Sequence, residues 1–200
     1  MSDTLLIATT NPAKLLEIRQ MLQGLPLELV TLAEWPTLAA PEETGRTFEE
    51  NACAKARYYA SATGLMTVAE DSGLEIDALG GAPGTLSARF GGADASYPQR
   101  FALIYDALAA RGGSESTARF VCAVALADRE RILFEARGTV EGAVASEPKG
   151  EGGFGYDPIF FYPPFGCTLA EALARKATVS HRAKAFEKLR MFLERRQRPV

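Results

Sequence analysis

Four short segments gather residues whose types and spacing can do chemistry. Thr9-Thr10-Asn11-Pro12-Ala13-Lys14 sets hydroxyls, an amide and a cation at a helix start. A strand feeding a capped helix leaves N–H groups at the positive end of the dipole, a natural anion site. Lys14 would occupy the first helical turn, where a cation is disfavoured unless an anion lies nearby. Glu70-Asp71-Ser72-Gly73, with Glu42-Glu43 upstream, holds adjacent carboxylates. Such a pair repels unless a cation or proton intervenes. Mg²⁺ takes oxygen ligands and bridges one or two carboxylates to substrate phosphates, and one carboxylate can then act as base on a water. Gly152-Gly153-Phe154-Gly155-Tyr156-Asp157 lets backbone approach a flat ligand while a ring stacks on it. Lys176 with Ser180-His181-Arg182 places basic donors at another helix start, suited to base keto groups or phosphates. Singly, each segment also reads as ordinary structure: a surface lysine, solvated acidic turns, a tight loop with core aromatics, a structural histidine. Together they describe one nucleotide site with phosphate donors, metal carboxylates and a base pocket. With no phosphate-accepting side-chain motif, that site points to hydrolysis.

The elements that must position these groups follow from periodicity. Thr4–Ala8 reads as a buried strand, followed by Asn11 as N-cap, Pro12 in the first turn, and a helix ending at Gly24. Leu27–Leu32 is a second strand. Thr47-Phe48-Glu49-Glu50 matches a capping box and opens a helix with Phe48, Ala52, Ala56, Tyr59 and Ala60 inward, ending at Gly64. Met66–Ala69 is a short strand running into the acidic turn, and Leu74–Leu79 resumes as strand. A helix is expected over Tyr97–Arg111, and a long hairpin from Arg119–Ala127 and Arg131–Ala145 around Asp128–Glu130. Ile159–Tyr162 is an apolar run, and a last helix starts near Ser180 with Phe186, Leu189 and Leu193 inward. Helices interleaved with strands, plus a hairpin, give a mixed-sheet α/β protein.

Composition narrows the class. The chain has 200 residues, 47% apolar and 24% charged, with net charge −3. That length and usage suit one globular domain over 1–200, or two lobes sharing a sheet. The balance shows no basic surface, so stable nucleic-acid binding is not expected. No apolar run approaches a membrane span. Met1–Ala8 lacks a basic start and a cleavage site, so no signal peptide is expected. Cys53, Cys122 and Cys167 fit no zinc spacing and read as small buried hydrophobes of a reducing, cytoplasmic setting.

The same motifs, in the same order, carry a resemblance. The chain resembles the inosine triphosphate pyrophosphatase family, the XTP/dITP diphosphatases. Its marks are Ala8–Lys14, Glu42-Glu43-Thr44-Gly45 with Phe48–Ala52, and Glu70–Leu74. Leu79-Gly80-Gly81-Ala82-Pro83-Gly84, Gly152–Pro158, and Lys176 with Ser180-His181-Arg182 complete them. The resemblance implies a long mixed β-sheet with flanking helices, two lobes around a substrate cleft, and a homodimer. It also implies Mg²⁺-dependent hydrolysis of ITP, dITP or XTP at the α–β phosphoanhydride, giving monophosphate and pyrophosphate. By position it implies Asp71 as general base and metal carboxylate, with Glu42 or Glu43 assisting and Glu70 beside them. It gives Thr9 through Lys14 to phosphate, and Ser72, Phe154, Gly155, Tyr156, Asp157, Lys176, His181 and Arg182 to other substrate contacts. Three positions depart from the usual pattern: Thr10 in place of glycine, Glu70 in place of aspartate, and Arg175 in place of an acid. A Maf-like pyrophosphatase of modified pyrimidine nucleotides and a reader of damaged bases are the rival readings, separable by a substrate panel and by salt-dependent retention on single-stranded DNA.

Overall fold

The computed structural model describes residues 3–113, 115–176 and 178–196. Seven strands form one mixed sheet in the order β2-β1-β3-β4-β5-β6-β7. They are β1 (Asp3–Ile7), β2 (Leu27–Thr31), β3 (Met66–Ile76), β4 (Thr117–Asp128), β5 (Arg131–Val144), β6 (Phe160–Tyr162) and β7 (Cys167–Thr168). β1 pairs in parallel with both β2 and β3, whereas β6 is antiparallel to β5 and β7. The helices are α1 (Pro12–Leu22), α2 (Phe48–Thr63), α3 (Tyr97–Ala109), α4 (Leu173–Lys176) and α5 (His181–Arg196). No helix among the described residues is long and apolar enough to cross a membrane.

The chain divides into two compact units, each with its own core. The first comprises residues up to Asp71, Cys122–Gly138 and the chain from Arg182. Its core joins Leu5 and Ile7 of β1, Ile18 and Leu22 of α1, Val124 and Leu126 of β4, and Phe186, Leu189 and Leu193 of α5. The second comprises Ser72–Val121 and Thr139–His181. There Leu74 and Ile76 of β3, Phe101, Ile104 and Leu108 of α3, Phe120, Val140 and Phe160 pack together.

Two local expectations change. Met66–Ala69 and Leu74–Leu79 are parts of one eleven-residue strand, β3, which continues through the acidic motif and turns only at Asp77–Leu79. The acidic pair therefore lies inside a strand, where side chains alternate between faces. At α2 only half of the capping box forms. Thr47 Oγ1 accepts from Glu50 N at 3.1 Å, but the Glu50 carboxylate reaches one residue further back, to Arg46 N at 2.6 Å. A full box forms instead at α3, between Ser96 and Gln99. The hairpin turn falls as expected, with Arg129 in the left-handed region.

Gly73 shows why the acidic motif closes on glycine. A Cβ there would lie 2.3 Å from Ser87 Oγ and 2.7 Å from Gly84 O. Ser87 Oγ cannot yield cheaply, because it accepts from Leu74 N at 2.9 Å and donates to Gly84 O at 2.6 Å. Gly73→Ala is expected to cost about 1–3 kcal/mol through overpacking, read as a lower urea midpoint at unchanged m-value. An unshifted midpoint would show that the 84–87 turn gives way freely.

Candidate active site

In the first unit, β3 aims two consecutive carboxylates at opposite faces, and each meets its own cations. Asp71 is buried. Its Oδ2 accepts from Asn51 Nδ2 at 2.9 Å, and its Oδ1 lies 3.5 Å from Lys55 Nζ. Lys55 also pairs with Glu43 at 2.6 Å. Asn51 is held in turn, because its Oδ1 accepts from Gly45 N at 2.8 Å. A Cβ on Gly45 would lie 2.5 Å from that oxygen, so the glycine of the Glu42–Gly45 segment is required by close approach. Burial raises the Asp71 carboxyl above its ordinary range, although Lys55 and Asn51 pull it down. A buried carboxylate oriented by hydrogen bonding and raised in basicity is suited to accept a proton from water.

Glu70, on the other face, is a counter-charge. Lys14 Nζ sits 2.7 Å from its Oε1, Arg182 Nε 3.3 Å from its Oε2, and the Cys122 thiol donates to Oε2 at 3.0 Å. Arg182 is further tied to Glu17 at 2.7 Å. Burial pushes the Glu70 carboxyl up, but Arg182 and Lys14 outweigh it and hold the group well below the usual carboxylate range. Burial and the Glu70 charge push the Cys122 thiol well up, so it stays protonated and donates. Glu70, expected among the metal carboxylates, thus has both oxygens engaged by cations and a thiol and leaves that set.

The expected cluster of free N–H groups before α1 is also corrected. Asn11 Oδ1 accepts from Ala13 N and Lys14 N at 3.0 and 3.2 Å, and Leu15 N bonds Asn11 O at 3.0 Å. Thr9 Oγ1 accepts from Asn11 N at 3.2 Å. The polar groups this segment presents are therefore the Lys14 ammonium, the threonine hydroxyls and the exposed Asn11 amide. The first turn of α1 contains no acid, so nothing there opposes an anion.

In the second unit the glycine loop is organised by Asp157. Its Oδ2 accepts from Phe154 N at 2.8 Å and pairs with Lys176 Nζ at 2.5 Å. Gly153 has φ +76°, and a Cβ there would lie 2.1 Å from the same oxygen. Lys176 Nζ also sits 4.5 Å from the Phe154 ring centroid, fixing the ring that was expected to stack on a base. Gly155 has φ +71°. Tyr156 turns inward, donating to Ser87 O at 2.8 Å and meeting Tyr97 edge-on. It is a core residue that anchors the loop. His181 is buried, with its ring stacked on Phe120 at 5.0 Å. Arg175 lies over the Phe165 ring at 4.2 Å. Ser72 is half-buried on β3.

Known proteins resemble this chain over nearly its whole length. The Ham1 family model matches residues 5–192. The chain belongs to the Ham1 family. A dITP/XTP pyrophosphatase of Exiguobacterium sp. is 48% identical over 187 residues, spanning 92% of this chain and 94% of its own. A dITP/XTP pyrophosphatase of Thermus thermophilus is 46% identical over 184 residues, 92% of this chain and 88% of its own. The Coxiella burnetii HAM1 protein superposes with TM-score 0.90 at 39% identity, covering 96% of this chain and 99% of that one. The Staphylococcus aureus Ham1 protein gives 0.87 at 34% identity, covering 98% and 100%.

For a Ham1 protein the metal question turns on Glu43 and Asp71. Both are oxygen donors, brought together through Lys55. Among the described residues no group of three His, Cys, Asp or Glu could hold a metal unaided. Mg²⁺, which takes one or two carboxylates and completes its shell with phosphate and water, needs no such group. The donor set therefore suits a hard divalent cation, with exposed Glu42 next in the chain. Sequence reasoning missed Asn51, Lys55, Glu17 and Cys122. Asn51 and Lys55 carried a signal, since they lie three and seven residues after Phe48, on the packing face of α2. A polar residue on an apolar face asks for a buried partner. Glu17 and Cys122 had no such mark.

Removing Glu70's charge should expose its role. Glu70→Gln takes the 2.7 Å counter-charge from Lys14 and leaves Arg182 to Glu17, so a loss of about 3–5 kcal/mol is expected at pH 7 by urea unfolding. Because the folded carboxyl lies below its ordinary 4.5, this stabilisation is present above that value. It is lost as pH falls through the lower folded value, and the variant should lack that acid step. A loss under about 1 kcal/mol would mean the cations find other partners.

Proposed function

We propose that this protein, as one catalytic domain over residues 1–200, hydrolyses the non-standard purine nucleotides ITP, dITP and XTP to monophosphate and pyrophosphate. The observation that carries the reading is Asp71: buried, raised in basicity, and oriented by Asn51 beside Lys55. The relatives named as dITP/XTP pyrophosphatases support the substrate class.

Asp71 orients the attacking water through Oδ1 and takes its proton, while Asn51 keeps Oδ2 occupied. Lys14, Thr9, Thr10 and Asn11 hold phosphate oxygens, with Pro12 and Ala13 setting the turn. Lys55 offsets charge between Glu43 and Asp71. Mg²⁺ would be held by Asp71 and Glu43, with Glu42 in support, and would supply charge neutralisation at the phosphates. Phe154 stacks on the base, and Gly155 permits close approach. Asp157 and Lys176 fix the ring, and Tyr156 anchors the loop. Ser72 follows the base in the chain and contributes a hydroxyl. His181, held flat against Phe120, is the donor for the 6-keto oxygen. Arg182 supports it from its buried pair with Glu70 and Glu17. Adenine offers an amino group where the keto group belongs, leaving a buried donor unpaired, and guanine adds a 2-amino group. Sites built on such pairing discriminate by roughly 10⁴-fold. The working form is a cytoplasmic homodimer that does not bind nucleic acid stably.

Three measurements test this. Asp71→Asn should keep the fold and lower kcat by at least ~10²-fold; near-native turnover would remove Asp71 as the base. Pyrophosphate release should stop in excess chelator and return with Mg²⁺, and full activity in chelator would sink the metal assignment. In a panel of ITP, XTP, ATP and GTP, kcat/KM should strongly favour the first two. Equal rates on ITP and ATP would overturn the proposal.

A further inference from the structure

Cys122 has no part in the mechanism above, yet its surroundings give it a task. It lies within β4, fully buried, on the face it shares with Val124 and Leu126. Those neighbours are hydrocarbons, whereas the Cys122 Sγ sits 3.0 Å from Glu70 Oε2. The two Arg182 contacts to Glu70 are longer, 3.3 and 3.4 Å, one to each oxygen. The shorter contacts are the thiol at Oε2 and the Lys14 ammonium at Oε1, 2.7 Å away. They grip the carboxylate from its two ends. A thiol donates without adding charge, so Glu70's negative charge is left for Lys14 and Arg182. A third cation at this point would compete for it.

We propose that Cys122 is a positioning residue for phosphate binding: its thiol fixes the Glu70 carboxylate, and Glu70 in turn sets the Lys14 ammonium where the phosphates are gripped. This rests on the reading of Lys14 as a phosphate contact. Lys14 is a long, flexible side chain with 20% of its surface exposed. Ordering it in advance removes entropy that phosphate binding would otherwise have to overcome. Loss of the thiol donor should therefore appear in affinity for phosphate, with little change in the chemical step.

The test compares Cys122→Val, which keeps bulk without a donor, with Cys122→Ser, which keeps a donor, and with Cys53→Ser as a control thiol. Cys122→Ala replaces the valine variant if that one does not fold. Pyrophosphate binding is measured by calorimetry in Mg²⁺, together with KM and kcat for ITP and the thermal midpoint. Cys122→Val should weaken pyrophosphate and raise KM by roughly three- to tenfold, the size of one ordinary net hydrogen bond, because a thiol is a weak donor. Its kcat should stay within about twofold, because Asp71 is untouched. Cys122→Ser should recover most of the affinity, and Cys53→Ser should match wild type. A Cys122→Val protein with wild-type pyrophosphate affinity, whatever its thermal midpoint, would reduce the thiol to packing. Equal losses in the serine and valine variants would do the same. Lys14→Ala separates the two levels. If it leaves pyrophosphate affinity intact, the phosphate role of Lys14 falls and this inference with it. If it weakens binding while Cys122→Val does not, only this inference falls.

Discussion

The arrangement depends on two consecutive carboxylates sharing one buried strand. Side by side in water Glu70 and Asp71 would repel, and buried without partners both would protonate. The alternation of β3 separates them by sending one to each face. Glu70 receives Arg182, Lys14 and a thiol, and Asp71 receives Asn51 and Lys55. The two environments push them apart: Glu70 is held firmly ionised, while burial leaves Asp71 more basic than an ordinary aspartate. Divergent environments of this kind separate a structural charge from a chemically active one.

Buried ion pairs cost desolvation and are weak grounds for stability. Their use here is geometric. Arg182 joins α5 to β3 and α1 through Glu70 and Glu17, and so ties Lys14's helix to the strand bearing Asp71. Asn51 and Gly45 do the same for the segment bearing Glu43. The second unit repeats the device once, with Asp157 and Lys176 nearly closed to solvent. One carboxylate oxygen there serves a backbone N–H and an ammonium together, while two left-handed glycines let the loop fold back on it. The Phe154 ring is thereby set by charge as much as by packing.

Much of this was legible in the chain. The Asn11 cap, the α2 start, the hairpin and the glycine loop follow from short-range chemistry, in which a residue's partner lies within a few positions. The order of the motifs carried the resemblance to the family that the chain belongs to. What misled was equally local. The Glu-Asp-Ser-Gly run looks like a turn, but the strand continues because Ser87, thirteen positions beyond Leu74, accepts that residue's N–H.

The sequence by itself determined which residues carry charge, where helices begin, and that the family's motifs stand in order. Beyond the resemblance, which marks Asp71, it left the direct metal ligands unassigned among Glu42, Glu43, Glu70 and Asp71, because four carboxylates differ only in what surrounds them. Tertiary structure told them apart. Glu70 met two cations and a thiol, from residues 14, 122 and 182; Asp71 and Glu43 met Lys55, and Glu42 stayed exposed. Partners more than fifty positions away set the electrostatic character of Glu70, and no local pattern encodes them, since the interaction energy depends on distance in space and on burial.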